Sequence, residues 1–136
     1  MPSLKTYDLF ISHAWTYNDE YHRLVRMLDE APYFSWRNYS VPDHDPLQAR
    51  TTAALAAGLD RQIRPVNAVL ILGGMYVNHR EWLQAEIEMA QGYRKPIIGV
   101  VPWGAERVPA LVQNVAAAVV RWNTDSIVNA IGAHAI

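Results

Sequence analysis

Apolar positions along this chain follow two rhythms, and the rhythms take turns. Apolar runs at "YDLFI" (7–11), "VNAVLIL" (66–72), "KPIIGVV" (95–101) and "AAAVVRW" (116–122) read as strands, as does the aromatic, extended "YFSWRNYSV" (33–41). "VNAVLIL" is nearly continuous, as a central parallel strand covered on both faces requires. Between the runs the spacing lengthens to that of helices. Asn18 can cap a first helix whose stripe is Tyr21, Leu24, Val25 and Leu28, with Pro32 closing it. "DHDPLQ" opens a second, with Asp45 at the cap, Pro46 in the first turn and Gln48 three residues beyond the cap. Leu55, Leu59 and Ile63 form its buried face until Pro65. After "GGMYVN" a third helix is predicted over about 79–93. A loop at 102–114 holds one short helix, and "NTDSIVNAI" closes the chain as a helix with Ile127, Val128 and Ile131 inward.

Five strands alternating with helices predict a single α/β domain over 1–136, with an open, mostly parallel, doubly wound five-stranded sheet. Right-handed crossovers and the length suit the flavodoxin-like order 2-1-3-4-5. That order places a topological switch point beside the first and third strands, and ligands bind there at the carboxyl ends of strands. The first strand runs straight into Ser12, His13 and Trp15, which a core strand does not need. They stand at the mouth of the expected crevice.

The third helix, "HREWLQAEIEMAQGY", has a polar stripe of Glu81, Gln84, Glu88 and Gln91, the spacing of a solvated face. Glu86 is off that stripe and points about 160° away from both Gln84 and Glu88. Its neighbours on the helix are Trp82, one turn before it, and Met89 or Ala90, one turn after. An ionised carboxylate on an apolar face is costly unless it is partnered or lies at the rim of a cleft. A salt bridge to a basic residue such as Arg94 is the ordinary explanation. A site at the nearby switch point is the functional one.

Composition narrows the function classes. Twelve basic and thirteen acidic residues give a net charge of −1, so no basic field attracts nucleic acid or an anionic membrane. With no cysteine, disulfides and thiol chemistry are excluded. The opening "MPSLKTYDLF" has one lysine and no apolar stretch of signal-peptide length, and no run approaches the ~20 residues of a membrane helix. A soluble, cytoplasmic protein is expected. Asp43, His44 and Asp45 look like metal ligands, but Asp45 serves as the helix cap and further spaced ligands are missing, so no metal is expected. His13 has no acid partner identifiable by spacing. Asn38, Tyr39 and Ser40 end the second strand, where turn chemistry and ligand contact explain them equally well. Trp36, Trp103 and Trp122 read as packing residues.

Taken in order, "YDLFISHAW", "NYSVPDHDP", the W-x-x-x-E of Trp82 and Glu86, "KPIIGV" and "WNTDSI" resemble a TIR-like domain. The resemblance is narrower still to the bacterial TIR-like group that includes the sensor of Thoeris anti-phage defence. It implies cleavage of the nicotinamide–ribose bond of NAD as substrate, with no resident cofactor, and release of a cyclised ADP-ribose signal to an effector. It also implies that Glu86 is the catalytic glutamate, with Trp82 packed near it. Ser12, His13, Ala14 and Trp15 would line the nicotinamide-ribose pocket. The loop 38–45, with Asn38, Tyr39, Ser40 and Asp45 among the substrate-binding residues, would cover the site and mediate self-association into a homo-oligomer. His13-Ala14 departs from the basic residues common after "FIS" in this family.

Other classes are separable on the same residues. A phosphoacceptor receiver needs acidic residues after the first strand and an aspartate ending the third, where this chain has Ser12-His13 and Gly73-Gly74. The dinucleotide fingerprint G-x-G-x-x-G is missing. A nucleoside deoxyribosyltransferase-like enzyme, also using a glutamate on an N-glycosidic bond, is the enzymatic alternative. A TIR-like interaction module without turnover is the non-enzymatic one.

Overall fold

The computed structural model of the chain describes residues 6–12, 19–39, 60–72, 80–101 and 110–136. In chain order these hold strand β1 (Thr6–Ser12), helix α1 (Asp19–Glu30), strand β2 (Ser35–Asn38), strand β3 (Ala68–Leu72), helix α2 (Arg80–Gly92), strand β4 (Ile97–Val101), the short helix α3 (Ala110–Gln113), strand β5 (Ala118–Arg121) and helix α4 (Thr124–His134). Residues 60–63 are also helical. They coincide with the end of the helix expected before Pro65; its cap at Asp45 and the positions of Leu55 and Leu59 lie outside the described residues.

The strands form one sheet in the order β2-β1-β3-β4-β5, and every neighbouring pair is parallel. This is the doubly wound arrangement that the alternating rhythms predict. β1 pairs with β3 so that Phe10 lies beside Val69 and Ser12 beside Ile71. The carboxyl ends of β1 and β3 therefore share one edge, with β2 and β4 departing to opposite sides.

Two cores flank the sheet. On one face Phe10, Val69, Ile71, Ile97 and Val101 pack with Ile87 and Ala90 of α2, with Ile63, and with Val112 of α3. On the other, Leu9, Ile11, Leu70, Leu72, Ile98 and Val100 pack with Tyr21, Leu24 and Leu28 of α1 and Ile127 and Ile131 of α4. Alternate residues of β1 thus serve opposite layers, and the central strands are buried along their length because both faces are covered. A fully buried Leu or Ile contributes about 1.5–3 kcal/mol.

Some boundaries differ from expectation. The second strand begins at Ser35 because Tyr33 takes a left-handed backbone with φ 59 and points into solvent, while Phe34 stacks on Tyr7 at 5.5 Å. A tyrosine in that conformation ends the turn after Pro32 instead of starting the strand. Asn67 stands outside β3 and works as a connector. Its Oδ1 accepts from the Asp8 backbone N–H at 2.7 Å, and its Nδ2 donates to the Ile136 carbonyl at 2.7 Å. Asn123 caps α4 by accepting from the Ser126 N–H, and that helix runs three residues beyond Ile131. Ile127 and Ile131 are buried and Val128 is half-buried. Trp36 and Trp122 pack at the margin of the α1–α4 core, with the Trp36 indole donating to Asp29 at 2.9 Å. Trp103 lies outside the described residues.

Candidate active site

Among the described residues only two polar or charged side chains are buried, Ser12 and Glu86, each 1% exposed. Both belong to the α2 side of the sheet. Ser12 ends β1 two residues after Phe10, whose ring joins the core beneath α2, and its neighbour Ile71 joins the same core. The pleat therefore turns the Ser12 hydroxyl toward the α2 layer at the carboxyl edge.

Glu86 reaches the same layer from the helix. Ile87 and Ala90 of α2 are buried, and Ala85 and Met89 pack against the same core. Glu86 lies one turn before Ala90, on the inward stripe. The opposite stripe is solvated as its spacing requires: Gln84 and Glu88 are exposed, and the Gln84 Nε2 donates to Glu88 Oε1 at 3.0 Å. One helix thus carries a hydrogen-bonded polar ridge outside and a carboxylate inside.

Arg94 does not account for that carboxylate. It is exposed, in a left-handed turn (φ 56) after α2. The ion pairs among the described residues join Arg37 to Asp8 at 2.6 Å and Arg64 to Asp60 at 3.8 Å. The Asp8 hydrogen bond and charge raise the Arg37 pKa. Near Arg94, the Tyr93 phenol donates to Asp60, and this bond holds its pKa above the ordinary tyrosine value. That cluster closes the C-terminal end of α2, away from the carboxyl edge of the strands.

The remaining candidates divide by location. Asn38 ends β2 beside Leu9, and its Nδ2 donates to the Tyr21 hydroxyl at 2.8 Å. Tyr39 continues the pairing through its N–H to the Leu9 carbonyl at 2.9 Å, and its ring packs against the α2-side core. Trp82 lies within α2 one turn ahead of Glu86. His13, Ala14, Trp15, Ser40 and Asp45 lie outside the described residues, as do Asp43 and His44. Among the described residues no three His, Asp or Glu side chains cluster as metal ligands, and no helix is long and apolar enough to cross a membrane. Tyr21, expected only to pack, also accepts the Asn38 hydrogen bond. The available signal was a phenol where phenylalanine would fill the same stripe.

Comparison with known proteins sets this geometry among relatives. No curated protein sequence matches the chain. Among solved structures, a CMP N-glycosidase of Clostridium botulinum, BcmB, aligns at 12% identity over 93% of this chain and 98% of its own, with a TM-score of 0.49. A 3-dehydroquinate dehydratase-like protein of Bifidobacterium longum aligns at 10% identity over 95% and 94%, with a TM-score of 0.46. The family model described as Thoeris protein ThsB, TIR-like domain, matches residues 10–107, from within β1 past the end of β4 and through Glu86. The chain belongs to the Thoeris ThsB TIR-like domain family.

Proposed function

We propose that this protein is an NAD-processing enzyme that cleaves the nicotinamide–ribose bond and produces a cyclic ADP-ribose-type signal in anti-phage defence. The observation that carries the reading is Glu86, buried on the sheet side of α2 in a chain of the Thoeris TIR-like family. A buried carboxylate is costly to a fold. A non-catalytic interaction module has no use for one in this place. An enzyme stabilising positive charge does.

The chemistry asks little beyond such a group. The bond between the ribose C1′ and the pyridinium nitrogen breaks with its electron pair passing to nitrogen, so nicotinamide leaves neutral without a general acid. Positive charge then develops on the ribose as an oxocarbenium-like species. Glu86 stabilises that charge or holds the ribose hydroxyls. Water adding to C1′ and losing a proton gives ADP-ribose. A nucleophile from the adenosine end of the same molecule, also losing a proton, gives a cyclic product. The second route needs a folded substrate and exclusion of water, and no further catalytic group. Ser12 supplies a hydroxyl at the same edge, and Asn38 a carboxamide at the neighbouring strand end. The loop 38–45 serves self-association, and the product acts on an effector.

The test is chromatography of NAD incubated with concentrated protein, with and without lysate from phage-infected cells. Release of nicotinamide with an ADP-ribose-type product is expected. Unchanged NAD under both conditions would refute the enzymatic reading and leave the interaction module.

A further inference from the structure

The strands begin at the edge opposite the candidate site, and this amino edge collects exposed apolar side chains. Of the four large hydrophobic residues exposed among the described residues, Tyr33, Tyr93 and Ile136 stand there. Tyr33 precedes β2 and Tyr93 precedes β4. Ile136 is clamped beside the start of β3 by two hydrogen bonds with Asn67, at 2.7 and 3.1 Å. The order β2-β1-β3-β4 sets the two tyrosines about three strand spacings apart, roughly 14 Å, with Ile136 between them. Tyr33 is 78% exposed on a left-handed backbone that favours glycine, and the Tyr93 phenol is held by Asp60. Aromatic side chains ordered in advance lose little freedom when a partner covers them, and tyrosine is a preferred anchor at the centre of interfaces.

Charge identifies the partner. α1 ends in Asp29 and Glu30, both exposed, with no basic residue in its last turn. A helix C-terminus favours cations, so Glu30 gains nothing from its own helix, whereas Asp29 also accepts from the Trp36 indole. At the other end of the edge, Arg61 and Arg94 are exposed around Tyr93. Asp60, the acid among them, is engaged by Tyr93 and Arg64. The edge is thus acidic beside Tyr33, basic beside Tyr93 and apolar between. We propose that this edge is an isologous interface with a second copy of the chain. A two-fold axis lying in the face, across the line from Tyr33 to Tyr93, sets each acidic end against the basic end of the other copy. The same rotation brings Tyr33 of one copy toward the partner's Tyr93. This contact is separate from the loop 38–45, which leaves β2 at the carboxyl edge, and it keeps the Glu86 side of the molecule open. It does not depend on the NAD-processing reading.

Sedimentation velocity over a range of concentrations tests the interface on wild type, Tyr33→Gly, Glu30→Lys and Arg94→Glu, with circular dichroism to verify folding. Glycine takes the φ of Tyr33 without a Cβ clash, and lysine suits the end of α1, so the fold is kept. Wild type should dimerise, and Tyr33→Gly should raise the dimer Kd at least ~10-fold. Each charge reversal alone should raise it ~3- to 10-fold. An equimolar mixture of Glu30→Lys and Arg94→Glu proteins should dimerise about as tightly as wild type, because the two-fold then pairs opposite charges at both ends. Wild type that stays monomeric at ~0.5 mM overturns the inference. So does unchanged association in folded Tyr33→Gly, or a mixture that associates no more tightly than its separate components.

Discussion

Glu86→Gln separates catalysis from architecture with a single change. The amide keeps nearly the same volume and can still hydrogen-bond, so the inward packing of Ile87 and Ala90 on the same helix is undisturbed and only the charge is lost. If the carboxylate stabilises the developing oxocarbenium charge, its loss should cost about 2.7–4 kcal/mol, or roughly 100- to 1,000-fold in rate. The fold should survive, with a melting temperature within about 3–5 °C of wild type, a change of about 1 kcal/mol in a chain of this size. A structural ion pair predicts the reverse. Breaking a buried pair costs about 3–5 kcal/mol, a drop of about 10–20 °C, while turnover per folded molecule is kept. The assay is the initial rate of NAD consumption by activated protein, normalised to folded fraction, with a thermal melt on the same sample. Full NAD cleavage by well-folded Glu86→Gln would refute the assignment.

Three further predictions concern other parts of the molecule. Charged residues in place of Val41 and Pro42 should weaken self-association and NAD turnover together, read by light scattering and rate; if both persist, the loop 38–45 has no part in the mechanism. Asn123→Ala removes the cap of α4 and should lower stability by about 1 kcal/mol without altering turnover per folded molecule, as denaturant unfolding would show. Tyr93 should ionise above the ordinary tyrosine range in an ultraviolet titration, because its bond to Asp60 favours the protonated phenol. Its contribution to stability is complete below the ordinary tyrosine pKa of about 10 and is lost as pH rises through the raised folded value. Asp60→Asn should bring that titration back toward the ordinary range.

How much of this was legible in sequence varied with the range of the interactions involved. Strand order follows from apolar runs and crossover handedness, which are properties of whole segments, and it was readable. Glu86 was readable for a similar reason: helical periodicity is local, and Gln84 and Glu88 mark the outer face on either side of it. The start of β2 was not. Tyr33 belongs to a residue type favoured in strands, and nothing in its neighbours announces a positive φ. Asn67 was read as strand because apolar residues flank it, yet its hydrogen bonds reach Asp8 and Ile136, 59 and 69 positions away. The link from Tyr21 to Asn38 crosses between a helix and a strand, and packing patterns treat Tyr and Phe alike.

The two-sided character of α2 makes the helix intolerant of a kind of change that substitution scans do not sample. One residue inserted or deleted between Gln84 and Ile87 would turn the flanking parts of the helix about 100° relative to each other. Glu86 would swing off the inward stripe, or Ile87 and Ala90 would leave the core to keep it there. Length changes ahead of Arg80 carry no such penalty, because the packing of Ile87 and Ala90, and not the span of chain after Leu72, sets the rotation of the helix. Diverging members of this family should therefore accumulate insertions before α2 freely while preserving an unbroken count of residues from its polar ridge to its buried stripe.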